Sequence, residues 1–296
     1  MKESEVPVMS TQTVKRSKSL AILLLGLLTL PAQHLMADSN ESSSVKAIAS
    51  QEKALPISGS ISLGLSDNFQ DGKSHLRSSS WSLGAELSYE FIRDYSVFVR
   101  SAFFQDLRHD KVSDFDDTLI GVKSGHKLGR SVSIAPKIYG VIPTGKRSRE
   151  DLSLQAGVGA SGALSWKVSP QIALGYSLNA SAYFYEFEQD KAGEPNFPLV
   201  FVNRVSGSWR ALEWLSLSVS AGFNTLLPLG AGERSGETKH EFRHTETVAF
   251  HVAPELTISA GHTLEQGLSN RMERNAKVDL FHDVDSRIFL DFTYLF

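Results

Sequence analysis

Apolar and small polar residues alternate with a period of two along the chain from Ile57 to its last residue. Because successive side chains of a β-strand point to opposite faces, this alternation predicts strands with one apolar and one polar face. Turn residues separate segments of about ten residues, which is the expected size of membrane-barrel strands. We predict about twelve strands, at residues 57–67, 79–91, 95–106, 117–128, 131–143, 152–167, 172–187, 198–211, 215–227, 243–253, 256–265 and 286–296.

The connections between these segments alternate between long, charged loops and tight turns. The long ones lie at residues 68–78, 107–116, 144–151, 188–197, 228–242 and 266–285. Aromatic residues gather near the strand ends, as in the aromatic belts of membrane barrels. The pattern predicts an all-β fold, a transmembrane antiparallel up-and-down β-barrel with its short turns on the periplasmic side.

A soluble β-sandwich or lipocalin-like barrel is the alternative architecture. Its apolar face would point inward, and its other face would contact water. The face that would line the lumen of a membrane barrel consists mostly of Ser, Gly, Ala, Glu, Lys and Arg. Two belts of aromatic residues also suit a bilayer better than a soluble core. The composition of the two faces therefore favours the membrane barrel.

The last residues alternate strictly, with Ile288, Leu290, Phe292, Tyr294 and Phe296 on one face. This ending resembles the C-terminal signal of bacterial outer-membrane β-barrel proteins, with Phe292, Tyr294 and Phe296 as its aromatic part. The resemblance implies an integral protein of the bacterial outer membrane. Its expected partners are membrane lipid, lipopolysaccharide and the barrel-assembly machinery.

One uncharged apolar run, Leu20 to Leu30, stands near the beginning of the chain, after Lys15, Arg16 and Lys18. It is too short for a membrane-spanning helix, which needs about 20 residues. A basic segment followed by a short apolar run is typical of a secretory signal peptide. We predict a signal peptide at residues 1–37, a flexible periplasmic segment at 38–56 and the barrel at 57–296.

The chain of 296 residues contains no cysteine, and it has 30 basic and 33 acidic residues. This composition excludes a disulfide scaffold, a cysteine-based metal centre and a strongly cationic nucleic-acid binder. We therefore expect no nucleic-acid partner, and we expect no cofactor.

His240, Glu241 and His244 match the H-E-x-x-H motif of zinc metalloproteases. That motif needs a helix to bring both imidazoles to one ion. The flanking residues form no apolar helical face, and on a strand the two imidazoles would be about 13 Å apart. A solvated loop leading into the tenth strand is favoured, so these residues are only a weak metal candidate.

Residues 140–146 (GVIPTGK) nearly match a phosphate-binding loop. Arg147 replaces the required Ser or Thr, Pro143 interrupts the loop, and we predict no helix after it. A strand end that leads into a basic external loop is therefore favoured. Within the same strand, Pro136 lacks a ladder donor, so we predict a local bulge there.

An outer-membrane hydrolase, either a phospholipase or a protease, is the enzymatic alternative. Such a phospholipase would place Ser, His and a polar orienting group on the outer surface of the barrel. By strand parity His126 and His262 face lipid, whereas His251 faces the lumen. No G-x-S-x-G motif is present. We therefore favour a protein that is not an enzyme.

The charges of predicted inward parity carry the functional prediction. We expect a lumen constriction formed by Arg100, Lys123, Lys137, Lys167 and Arg204, facing Glu86 and Glu90. Arg and Lys rings favour anions, so the sequence predicts a channel or transporter for small polar or anionic solutes. A closed-lumen structural, adhesion or interaction barrel that acts through its extracellular loops is the main alternative. The oligomeric state stays open.

Overall fold

The computed structural model describes residues 56–68, 78–107, 112–228, 238–267 and 285–296. The strands in these ranges are Ile57–Asn68 (β1), Ser79–Ile92 (β2), Tyr95–Asp106 (β3), Ser113–Phe115 (β4), Thr118–Ser124 (β5), His126–Leu128 (β6), Val132–Ile142 (β7), Leu154–Lys167 (β8), Ile172–Tyr185 (β9), Leu199–Leu212 (β10), Leu215–Leu227 (β11), Lys239–His251 (β12), Leu256–Gly267 (β13) and Ser286–Leu295 (β14). One π-helical turn, Arg147–Asp151, lies between β7 and β8. None of the helical structure in these ranges is long and apolar enough to cross a membrane.

The sheet closes on itself because β1 pairs with both β2 and β14. The short segments β4, β5 and β6 together occupy one position between β3 and β7. The result is a closed antiparallel barrel of 12 strands. Closure satisfies the backbone donors and acceptors that an open sheet edge would expose to hydrocarbon. The predicted all-β up-and-down barrel is confirmed.

The outer surface carries the apolar side chains. Ile61, Leu63 and Leu65 of β1 are 39–47% exposed, whereas Gly64 between them is buried against the inner face. Aromatic side chains are exposed at the strand ends, namely Tyr89, Phe91, Tyr95, Trp166, Trp209 and Trp214 beside the short turns, and Phe184, Phe201 and Phe223 toward the long loops. An exposed apolar band between two aromatic belts is the surface of a membrane-spanning barrel.

Two local predictions were wrong. The tenth strand begins at Lys239 instead of residue 243, so the segment from His240 to His244 lies inside β12 and not in a loop. No register shift occurs at Pro136, which pairs with Gly162 of β8. The irregularity falls in the neighbouring strand instead, between β5 and β6 at Gly125. The register is the same on both sides of this gap, since Lys123 pairs with Lys137 and His126 pairs with Ile134.

The predicted signal peptide at residues 1–37 and nearly all of the predicted periplasmic segment at 38–56 lie outside the described residues. Both stay predictions.

Candidate functional site

A cluster of buried apolar side chains lies on the inner face of the barrel wall. Phe98 is 2% exposed, whereas its neighbours Val97 and Val99 are 40% and 38% exposed on the outer face. Phe98 packs with Tyr139 and Val141 of β7, and Leu119 and Tyr183 join from β5 and β9. These five residues, here called the lumen ledge, fill part of the interior along β3 to β9.

Tyr139 anchors the lumen ledge through its hydroxyl group. The hydroxyl donates to Asn179 Oδ1 at 2.7 Å and lies 2.9 Å from Ser181 Oγ, and both partners are buried on β9. The ring crosses β8 at Gly159, where a Cβ would overlap it. Glycine on β8 and a buried amide on β9 therefore fix the ring in one position.

Two lysine side chains make cation–π contacts with the ring of Phe98. Lys137 Nζ lies 4.7 Å from its centroid, and Lys123 Nζ lies 5.8 Å away. Lys123 forms an ion pair with Glu86, which is the register partner of Arg100 on β3. We call Arg100, Lys123, Lys137 and Glu86 the basic patch.

The two lysines of the basic patch are direct cross-strand partners. Like charges at such positions repel each other. The carboxylate of Glu86 offsets the charge of Lys123, and the faces of Phe98 and Tyr139 attract that of Lys137. Arg100 also interacts electrostatically with Asp116, so the basic patch brings three cations close to the two carboxylates of Glu86 and Asp116.

The other predicted constriction residues lie elsewhere. Arg204 belongs to β10, where it pairs in register with Ser177 and Gly222. Lys167 ends β8 and Glu90 lies near the end of β2, both exposed beside short turns. Glu90 Oε1 accepts the backbone N–H of Asp94 in its turn. The structure thus groups Arg100, Lys123, Lys137 and Glu86, and it separates Lys167 and Glu90 from them along the strands.

The C-terminal residues complete the closure of the barrel. Phe296 exchanges two backbone hydrogen bonds with Gly59, at 2.9 and 3.0 Å. Phe292 and Tyr294 pair in register with Leu63 and Ile61 of β1. The role of Phe292, Tyr294 and Phe296 as an assembly signal stays a prediction.

The H-E-x-x-H residues are distributed over the two faces of β12. Glu241 Oε2 accepts the side-chain amide of Asn224 on the inner face. His240 and His244 lie on the outer face. His240 Nδ1 is 3.2 Å from Thr225 Oγ1, and His244 Nε2 is 3.1 Å from Glu246 Oε1. Within the described ranges, no three His, Asp or Glu side chains gather as a metal site would require.

The contacts of the histidines bear on the hydrolase alternative. His251 Nε2 lies 3.0 Å from Ser216 Oγ, but Nδ1 faces the hydroxyl of Thr257 at 3.3 Å instead of a carboxylate. A carboxylate on the second ring nitrogen is what orients the base in a Ser-His-Asp triad. The arrangement at His251 is therefore that of a structural hydrogen-bond network.

Sequence analysis missed Glu246 on the outer face. It is the register partner of His262 on β13, and its carboxylate contacts His244. The outward positions of β12 are Phe242, His244, Glu246, Val248 and Phe250, so strand parity contained the signal. The predicted strand at 243–253 already contained residue 246, so its outward position could have been read from the sequence.

The segment that nearly matches a phosphate-binding loop also differs from its prediction. A helical turn, Arg147–Asp151, does follow it. The N–H groups of Lys146 and Arg147, which a phosphate-binding loop would direct at its ligand, donate to Asp114. An aspartate of the barrel itself therefore occupies the place of an anion.

No protein-family model matches the chain, and no curated protein matches its sequence. Among solved structures, the fold is similar to an outer membrane channel from Pseudomonas putida F1, with a TM-score of 0.56 and 12% identity, over 82% of this chain and 97% of that one. It is also similar to the NanC porin, with a TM-score of 0.48 and 11% identity, over 78% and 98% of the two chains. At these identities the likeness concerns the fold, and only the first carries weight. It confirms the predicted fold class, that of integral outer-membrane barrels.

Proposed function

We propose that the barrel is an outer-membrane channel that passes small polar solutes and prefers anions. The observation that carries the proposal is the basic patch, where Arg100, Lys123 and Lys137 lie on neighbouring strands and Lys123 pairs with Glu86. Positive side chains along a passage attract anions and repel cations. Solutes would cross by diffusion, without a cofactor.

The position of the basic patch supports selectivity. Lys123 and Lys137 lie over the ring of Phe98, which belongs to the lumen ledge. A packed ledge on one side of the lumen leaves a narrower space beside it, so a passing solute stays close to these charges. Arg204 on β10 adds a cation on another part of the wall.

The lumen ledge also favours a second candidate function, a closed barrel that acts through its extracellular loops. Phe98, Tyr139 and Val141 are 2–7% exposed, which is the packing of a protein core. Barrels intermediate between the filled eight-stranded kind and the open sixteen-stranded porins can be of either type. A closed barrel would pass no solute, and this outcome separates the two functions.

Swelling of liposomes that contain the refolded protein tests the proposal. We expect a small anion to enter several times faster than a cation of equal size, because the basic patch attracts it. Liposomes without protein provide the baseline. Equal entry of the two ions would contradict selectivity, and swelling at the baseline rate for every solute would favour the closed barrel.

A further inference from the structure

The loop between β7 and β8 is tied to the barrel wall by two carboxylates. Asp114 of β4 accepts the backbone N–H of Lys146 at 2.7 Å and that of Arg147 at 2.9 Å, one on each oxygen. Asp117 accepts the hydroxyl of Ser148 at 2.9 Å. Hydrogen bonds to a charged acceptor are about twice as strong as neutral ones. The first half of the loop is therefore held by side chains.

The faces of β4 show on which side of the barrel wall the loop is held. Phe103 and Phe115 form a ring pair on the outer face, where Phe115 is 55% exposed. Asp114 pairs in register with Phe104, so both lie on the opposite, inner face. The loop that Asp114 holds therefore lies against the inner face of β4. A cavity of about 230 Å³ lies there, lined by residues that include Phe104, Asp114, Arg147 and Leu152.

The second half of the loop is anchored differently. The carbonyl oxygens of Asp151, Leu152 and Ser153 accept N–H groups of Lys191, Asn196 and Glu186 in the neighbouring loop, at 2.9–3.1 Å. Asn196 is 6% exposed and donates its amide to Phe187 as well. Ser153 has a φ of 55°, a left-handed conformation that is unusual for a residue other than glycine. This half is fixed, and its sharp bend stands at the start of β8.

We propose that residues 144–150 form a lid over the extracellular mouth, anchored at residues 151–153 and latched by Asp114 and Asp117. The latched lid narrows the entrance, and the released lid widens it. This inference rests on the proposed channel function, since a lid regulates transport only where a passage exists.

Trypsin cleavage tests the latch without reference to transport. The lid carries Lys146, Arg147 and Arg149 as cleavage sites. An Asp114→Asn, Asp117→Asn variant removes both charges and leaves an acceptor oxygen at position 114 for only one of its two N–H partners, so we expect cleavage in the lid to become on the order of tenfold faster. Asp190→Asn is the matched control, because Asp190 accepts N–H groups of Ala192 and Glu194 within the other loop. Unchanged cleavage in the double variant would overturn the latch.

Conductance tests whether the latched segment acts as a lid. We expect the double variant to switch often between the wild-type level and a larger one, while Asp190→Asn keeps the wild-type trace. Faster cleavage with an unchanged trace would show a loop that is tied but does not gate, and it would overturn the lid. A wild-type barrel that passes no current would contradict the channel and the lid together, whereas the cleavage result would still report on the latch.

A disulfide cross-link provides a second test. The two cysteine substitutions remove the hydrogen bond between residues 117 and 148, and oxidation joins the same two residues again. Asp117→Cys with Ser148→Cys replaces a pair whose side-chain oxygens lie 2.9 Å apart, in a chain that has no other cysteine. In the oxidised protein we expect one steady conductance at the lower of the two levels. In the reduced protein we expect switching between the two levels. The same trace in both states would contradict the lid.

Discussion

Replacing Arg100, Lys137 and Arg204 together with glutamate is expected to reverse the anion preference that we propose, giving a barrel that prefers cations. Each replacement changes the local charge by two units on the lumen wall, and Lys123 then remains with Glu86 as a neutral pair. Since rings of acidic side chains favour cations, the reversal potential in a salt gradient should change sign. Planar-bilayer recordings on the refolded variant measure it.

The control for this variant carries the same kind of charge change outside the lumen. Arg93→Glu and Arg130→Glu lie in exposed short turns. We expect them to leave the sign of the reversal potential unchanged. The altered electrophoretic mobility of a folded barrel on heating identifies properly folded samples. An unchanged reversal potential in a folded triple variant would refute the assignment of the basic patch and Arg204.

Gly159→Ala is expected to destabilise the barrel strongly, because Gly159 lies directly against the lumen ledge. The new methyl group would overlap the ring of Tyr139. If the ring moved away from β8, its hydroxyl would lose the hydrogen bonds to Asn179 and Ser181. Overpacking and the loss of buried hydrogen bonds each cost roughly 1–3 kcal/mol. We expect the free energy of unfolding to fall by about 2–4 kcal/mol.

Denaturant unfolding in lipid vesicles, followed by tryptophan fluorescence, measures this loss. Gly140→Ala is the matched control, because the atom nearest to its new Cβ is 3.8 Å away, an ordinary contact. We expect the control to lose less than about 1 kcal/mol. Equal losses in the two variants would show that the position of Tyr139 does not depend on Gly159.

Strand parity alone predicted much of the fold and part of the candidate site. It placed Glu86, Arg100, Lys123 and Lys137 inward because each lies in a strand with a clean alternation. It failed at β12, whose first residues are polar on both faces and resemble a loop. This polar run therefore concealed the true start of the strand.

The lumen ledge and the lid could not be predicted from parity. Contact between Tyr139, Gly159 and Asn179 depends on the relative registers of β7, β8 and β9, and no local pattern specifies these registers. Asp114 lies in a three-residue strand inside a predicted loop, and its partners are backbone N–H groups 32 and 33 residues away. Almost every residue has a backbone N–H group, so the amino-acid sequence does not indicate which of these groups Asp114 binds.

Single-channel recording of the unmodified barrel in a planar bilayer, under a salt gradient, tests the central claim most directly. The structure predicts discrete conductance steps and a reversal potential shifted toward the equilibrium potential of the anion, because the basic patch brings three cations together on neighbouring strands. A folded barrel that gives no steps, or one that prefers cations, would contradict the proposed channel.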